Sequence, residues 1–192
     1  MSLPRDDATI VVGLGNPGER YAGTRHNVGF WLVKAWSRSH DFSGPKSQCQ
    51  GRLWSGSVGD VAVKSVLPGT FMNASGESVQ AVLRFYRLTP RDLIVVYDDF
   101  ELPFGAVRIR EKGTAGTHNG MRSIIQCIGT QAFVRMRIGV GPKPVHMDAA
   151  NYVLGRFSTE EQTGLTERKP TWIEQLNHLV QDRVQQAQMG DL

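Results

Sequence analysis

The run Leu93-Ile94-Val95-Val96-Tyr97 constrains the fold more than any other part of the chain. It is too short for a helix, rich in β-branched residues, and leaves no side for water. A strand of this kind is covered on both faces, so it demands a layer of helices above and below. Ala8 to Leu14 (ATIVVGL) has the same character and ends in glycines. Helical spacing appears from Asn27 to Arg38 (Val28, Trp31, Leu32, Ala35, Trp36), from Ser75 to Tyr86 (Val79, Val82, Leu83, Tyr86) and from Met121 to Ile128. Strands alternating with helices predict an α/β fold. Leu53–Ser57 and Val61–Leu67, joined through Gly59-Asp60, predict a hairpin and therefore a twisted, mixed sheet surrounded by helices. Val107–Arg110 and Val134–Val140 alternate like half-exposed strands, which sets Arg135 and Arg137 opposite Met136 and Ile138. Thr159 to Gln188 is predicted to be mostly helical and polar, with a break near Pro170.

With 192 residues, 40% of them hydrophobic and 21% charged, and no repeat or linker, one domain over residues 1–192 is expected. No apolar run approaches the roughly 18 to 20 residues that cross a bilayer. The start, Met1-Ser2-Leu3-Pro4-Arg5-Asp6-Asp7, is polar and acidic, unlike a secretion signal, so a cytoplasmic protein is expected. Cys49 and Cys127 form neither a disulfide framework nor a zinc site, and two reduced, buried thiols are the expectation. A net charge of +4 favours polyanions over acidic proteins as partners, with binding that salt weakens if the partner is RNA.

Gly13-Leu14-Gly15-Asn16-Pro17-Gly18 formally matches the dinucleotide fingerprint GxGxxG. That motif must open directly into a helix whose N-terminus holds the pyrophosphate. Here Pro17, Gly18 and Gly23 keep the chain irregular until about Asn27, and no second strand ending in an acid follows. A nicotinamide cofactor is rejected on those grounds. GxSxG, HExxH and the P-loop are absent, and the five histidines lack metal-ligand spacing.

Polar residues gather instead where strands and helices meet loops: Gly15-Asn16-Pro17-Gly18, Thr24-Arg25-His26-Asn27, Phe71-Met72-Asn73, Asp98-Asp99 and Thr117-His118-Asn119-Gly120. Sites in α/β sheets form at the carboxyl ends of strands, and Asn16 and Asp98 both follow one. GLGNPGERYAGTRHNVGF (Gly13–Phe30) resembles the N-terminal signature of bacterial-type peptidyl-tRNA hydrolase. PGTFMNASG (Pro68–Gly76), Asp98 in YDDFELPFG, GTAGTHNG and VLGRFS (Val153–Ser158) resemble that family's later motifs, in order, over nearly the whole chain. The sequence departs from the family at Thr117, where glycine is usual, and at Tyr97, where histidine is frequent.

The resemblance implies an enzyme that cleaves the ester between a peptide and the ribose of tRNA, with no metal or organic cofactor, no membrane, no obligate protein partner and a monomeric state. His26 is the expected general base, since histidine alone titrates near neutrality without a large perturbation. Asp98 resembles the family's partner to that histidine, and whether Asp99 shares the role stays open. Asn16, Asn73 and Asn119 correspond to substrate-binding asparagines, whose amides can pair with any peptide backbone. Tyr21 and Met72 are expected to form an adaptable apolar wall, and His118 to orient the loop carrying Asn119. Among Arg108, Arg110, Lys112, Arg135, Arg137 and Lys143, the resemblance singles out Arg110 and Arg137 as a clamp for the terminal phosphate of tRNA. A non-catalytic RNA-binding relative on the same fold is the alternative, disfavoured by the intact His26, Asp98 and asparagine set.

Overall fold

The computed structural model describes residues 7–189, with side chains through residue 182, so the polar stretch before Asp7 lies outside the described residues. Seven strands form one mixed sheet: β1 (Ala8–Gly13), β2 (Ser43–Gln48), β3 (Gly51–Val58), β4 (Val61–Pro68), β5 (Leu93–Pro103), β6 (Val107–Arg110) and β7 (Val134–Gly141). Their order is β2-β3-β4-β1-β5-β7-β6, parallel from β4 through β7 and antiparallel at both edges. The β3–β4 hairpin turns at Gly59-Asp60, where Gly59 adopts φ 56°, as the sequence predicts.

Helices α1 (Val28–Ser39), α2 (Ser75–Tyr86), α3 (Asn119–Ile128), α4 (Ala149–Val153) and α5 (Thr159–Met189) surround the sheet. Alternate strand residues feed two cores. Val11, Ile94, Val96, Met136 and Ile138 pack with Leu32, Val33 and Trp36 of α1 and with Trp172 and Leu176 of α5. Ile10, Val12, Leu93 and Val95 pack with Val79 and Val82 of α2 and Met121 and Ile124 of α3. The α/β expectation drawn from two doubly buried strands therefore holds.

Five local features differ from expectation. β2 has no signal in the sequence, because SGPKSQ carries none of the apolar or β-branched residues that mark a strand; it is an exposed edge, where such residues are tolerated. β5 does not stop at Tyr97 but continues through Asp98 and Asp99, which pair with Ile138 and Gly139 of β7. β1 ends opposite Val96, so this overhang stands above its carboxyl end. α5 runs unbroken through Pro170. The buried stripe Leu165, Trp172, Leu176 and Val180 holds it on the core, and packing outweighs the one backbone donor that proline lacks. Finally, Arg135 is buried at 2% exposure, because β7 lies inside the sheet and not at its edge. Cys49 and Cys127 are free but only half-buried.

The helix that follows the Asn16 loop sits unusually close to the sheet. A Cβ on Gly29 would overlap the Val96 carbonyl oxygen and the backbone of Leu14, and one on Gly13 would overlap the Gly29 carbonyl. The pair lets the Phe30 N–H reach the Leu14 carbonyl at 3.0 Å, tying the start of α1 to the end of β1. Gly29→Ala is expected to destabilise the fold by about 1–3 kcal/mol or more through overpacking. Urea unfolding checks this, and an unchanged midpoint would mean that α1 sits further from the strands.

Candidate active site

The overhang of β5 and the loops above β1 frame a cleft of about 710 Å³. Asn16, His26, Met72, Asn73, Asp98, His118 and Asn119 all line it, although they come from five separate segments. Arg110, Lys112 and Arg137 also line it, as do Asp148, Ala149, Ala150, Val153 and Leu154 in and around α4. Tyr21 is the expected site residue that does not line the cleft. It stands behind the rim, its ring edge-on to Phe71 at 6.4 Å and covered by the Arg20 guanidinium.

His26 sits in the short 3-10 turn Arg25–Asn27 that precedes α1. Its Nδ1 lies 2.9 and 3.0 Å from the two Asp98 oxygens, and both side chains are nearly sealed from solvent. The same Asp98 Oδ1 meets His118 Nε2 at 2.9 Å. Burial alone would push the Asp98 carboxyl up, but the two imidazoles beside it reverse that and hold it well below the usual carboxylate range.

Hydrogen bonding distinguishes the two histidines. His118 caps α3, with Nδ1 accepting the Met121 N–H at 3.3 Å. That nitrogen therefore carries no proton, and His118 donates to Asp98 from Nε2. An ionised Asp98 can only accept, so His26 donates to it from Nδ1. Its Nε2 is left bare, without a hydrogen-bond partner among the described residues, on a ring that lines the cleft. The ligand atoms of His26, Asp98 and His118 lie within 4.8 Å of one another, close enough for a metal. His118 could offer Nε2 to a cation only by placing a proton on Nδ1 and losing its cap, so the donor set suits a proton network better.

The asparagines differ as sharply. Asn16 is buried, and its amide oxygen accepts the Met72 N–H at 2.8 Å, which leaves the amino group as its free donor. Asn27, a residue not singled out from sequence, clasps the Asn16 backbone from both sides at 2.8 and 2.9 Å. Its place beside His26 in the Thr24–Asn27 cluster is the signal that pointed to it. Asn73 and Asn119 are exposed on the rim, and Asn119 accepts from Arg122 at 3.2 Å.

Of the six cations considered for RNA, Arg110, Lys112, Arg135 and Arg137 line the cleft. Arg135 is committed internally, donating to the Thr114 and Gln131 carbonyls at 2.7 and 3.0 Å. It anchors the loop before His118 instead of meeting solvent. Arg137 is ion-paired with Asp99 and lies 3.8 Å from Glu101, pairings that sequence motifs did not reveal. Asp99 is thereby occupied with Arg137 and the Glu101 N–H, not with His26. Arg110 is exposed and forms no ion pair among the described residues.

The sequence model of the family described as peptidyl-tRNA hydrolase matches residues 10–191. A peptidyl-tRNA hydrolase of Chloroflexus aggregans is 48% identical over 159 residues, covering 82% of this chain and 85% of the relative. One from Alkaliphilus oremlandii is 43% identical over 175 residues, covering 91% and 94%. The crystal structure of peptidyl-tRNA hydrolase from Acinetobacter baumannii superimposes with a TM-score of 0.85 at 32% identity, covering 97% of this chain and 95% of that one.

Proposed function

The chain belongs to the peptidyl-tRNA hydrolase family, and on that premise we propose that His26 is the general base of its reaction and Asp98 the partner that fixes it. The enzyme hydrolyses the ester between peptide and tRNA in peptidyl-tRNA, freeing the tRNA for translation. The observation that carries the reading is the unequal use of the two imidazoles. His118 is spent on a helix cap and a carboxylate, while His26 keeps one bare nitrogen toward the cleft.

Nε2 of His26 takes a proton from water as the oxygen attacks the ester carbonyl. The imidazolium that results is stabilised by Asp98, which stays ionised. Asn16 is the donor best prepared for the developing oxyanion, since its amide is buried and held before substrate arrives. Collapse of the tetrahedral adduct expels the ribose oxygen, which recovers the proton from His26. The products are a peptide carboxylic acid, which gives its proton to solvent, and a tRNA with a free hydroxyl. Asn73 and Asn119 on the rim pair with the peptide backbone, and Met72 supplies an adaptable apolar surface.

Arg110 and Arg137 receive the terminal phosphate of tRNA, Arg110 as an exposed charge with no ion pair among the described residues and Arg137 as one oriented by Asp99. Arg110→Gln is expected to raise KM about 5- to 10-fold with kcat unchanged. The slope of log KM against log salt should fall by about 0.7 to 0.9, as for one lost phosphate contact. A KM insensitive to the change would remove Arg110 from the clamp.

We propose that the enzyme acts as a monomer with no obligate protein partner, as the family resemblance implies. Among the described residues no helix is long and apolar enough to cross a membrane. Its substrate is a product of translation, so we place the enzyme in the cytoplasm. The direct test is incubation with an N-blocked aminoacyl-tRNA and no added metal, with release of free tRNA expected. RNA binding without ester cleavage would favour a non-catalytic relative.

A further inference from the structure

The three residues of the turn that carries His26 point to three different parts of the molecule. His26 faces Asp98, Asn27 grips the Asn16 loop, and Arg25 reaches the segment joining α4 to α5 and the first turn of α5. The Arg25 guanidinium meets both Glu161 oxygens at 3.0 and 2.8 Å and donates to the Arg156 carbonyl at 3.1 Å. It also lies over the Tyr152 and Phe157 rings, 4.6 and 5.5 Å from their centroids. The backbone repeats the connection: Arg25 N–H donates to the Gly155 carbonyl, Phe157 N–H to the Gly23 carbonyl, and Thr24 bridges to Arg156.

We infer that Arg25 and Glu161 form a positioning clasp that sets the depth and angle of His26 against the flank of the cleft formed by α4. The inference rests on the reading of His26 as the base. The clasp has the features of a fixed joint. One guanidinium nitrogen spans both carboxylate oxygens while another donates to the Arg156 carbonyl, so the planar group is fixed in orientation as well as distance. The pair is shielded, with side-chain exposures of 15% and 24%. Val153 and Leu154 line the cleft on the same segment, and Tyr152 binds back to the Val140 carbonyl at 2.6 Å. The clasp thus links the base to a wall of the cleft, across 136 positions of sequence. Neither residue meets the reacting atoms, so their effect is on placement.

Placement errors near 1 Å cost about 10²-fold in rate, so partial loosening is expected to lower kcat about 10-fold. Glu161→Gln keeps an acceptor for the Ser158 N–H that Glu161 also caps, while turning an amide against Arg25. Arg25→Lys keeps the charge and loses the fork. Both variants, their combination and His26→Ala are assayed with N-blocked aminoacyl-tRNA alongside thermal melts. Each clasp variant should lose about 10-fold in kcat with KM within about threefold, and the pair should lose no more than the worse single change. Singles that keep kcat within twofold, or losses that multiply in the pair, overturn the clasp. Loss confined to Tm, with kcat of the folded enzyme intact, overturns it equally and leaves Arg25 a structural residue. A near-native rate for His26→Ala would instead overturn the base itself.

Discussion

His26→Ala is expected to lower kcat by about 10²- to 10⁴-fold, the range that a positioned acid–base group contributes, while KM for peptidyl-tRNA stays within about threefold. The expectation follows from which groups remain. Asp98 is still held by His118, and Asn16 is still held by Met72 and Asn27, so the cleft keeps its shape and its charge. What disappears is the one ring nitrogen that can accept a proton from water. A variant with near-native kcat would place the base elsewhere. A large rise in KM at constant kcat would make His26 a binding residue.

Asp98→Asn should cost nearly as much, about 10² to 10⁴, although it removes no atom from the cleft surface. His118 is committed to donating from Nε2 by its helix cap, so it captures the oxygen of the new amide. The amino group then occupies the Oδ2 position, 3.0 Å from His26 Nδ1. Nδ1 then lies between that donor and the shared amide oxygen at 2.9 Å. The tautomer with its proton on Nε2, where the base has to be bare, becomes accessible, and the charge that stabilised the imidazolium is gone. A rate unchanged by Asp98→Asn would remove the carboxylate from the mechanism. Because the folded Asp98 carboxyl is held below its ordinary range, its contribution to stability is full above about pH 4 and fades as acid protonates it. Any loss of rate between about pH 8 and 5 therefore has to come from a group other than Asp98.

Much of this was legible in the sequence, and the boundary of legibility is physical. β1 and β5 declare themselves because burial on both faces leaves only apolar, β-branched residues. The hairpin declares itself because Gly59 must adopt a positive φ. β2 is silent because an exposed edge selects for nothing apolar, and Pro170 misleads because the helix is held by packing on distant residues. The site shows the same division. His26, Asp98, His118 and the asparagines are recognisable as motifs, and they do meet at one cleft. Their division of labour is not, since it depends on a helix cap at Met121 and on which oxygen each imidazole meets. Arg25–Glu161 and Arg137–Asp99 are likewise pairings between remote segments, which no local pattern encodes.

The account turns on where two protons sit, and that can be observed directly. Long-range proton–nitrogen correlation spectra of the imidazole rings, recorded near pH 8 on the ligand-free enzyme, report the tautomer of each histidine. His26 is predicted to carry its proton on Nδ1 with Nε2 bare, and His118 the reverse. A His26 protonated at Nε2 in the resting enzyme would contradict the mechanism.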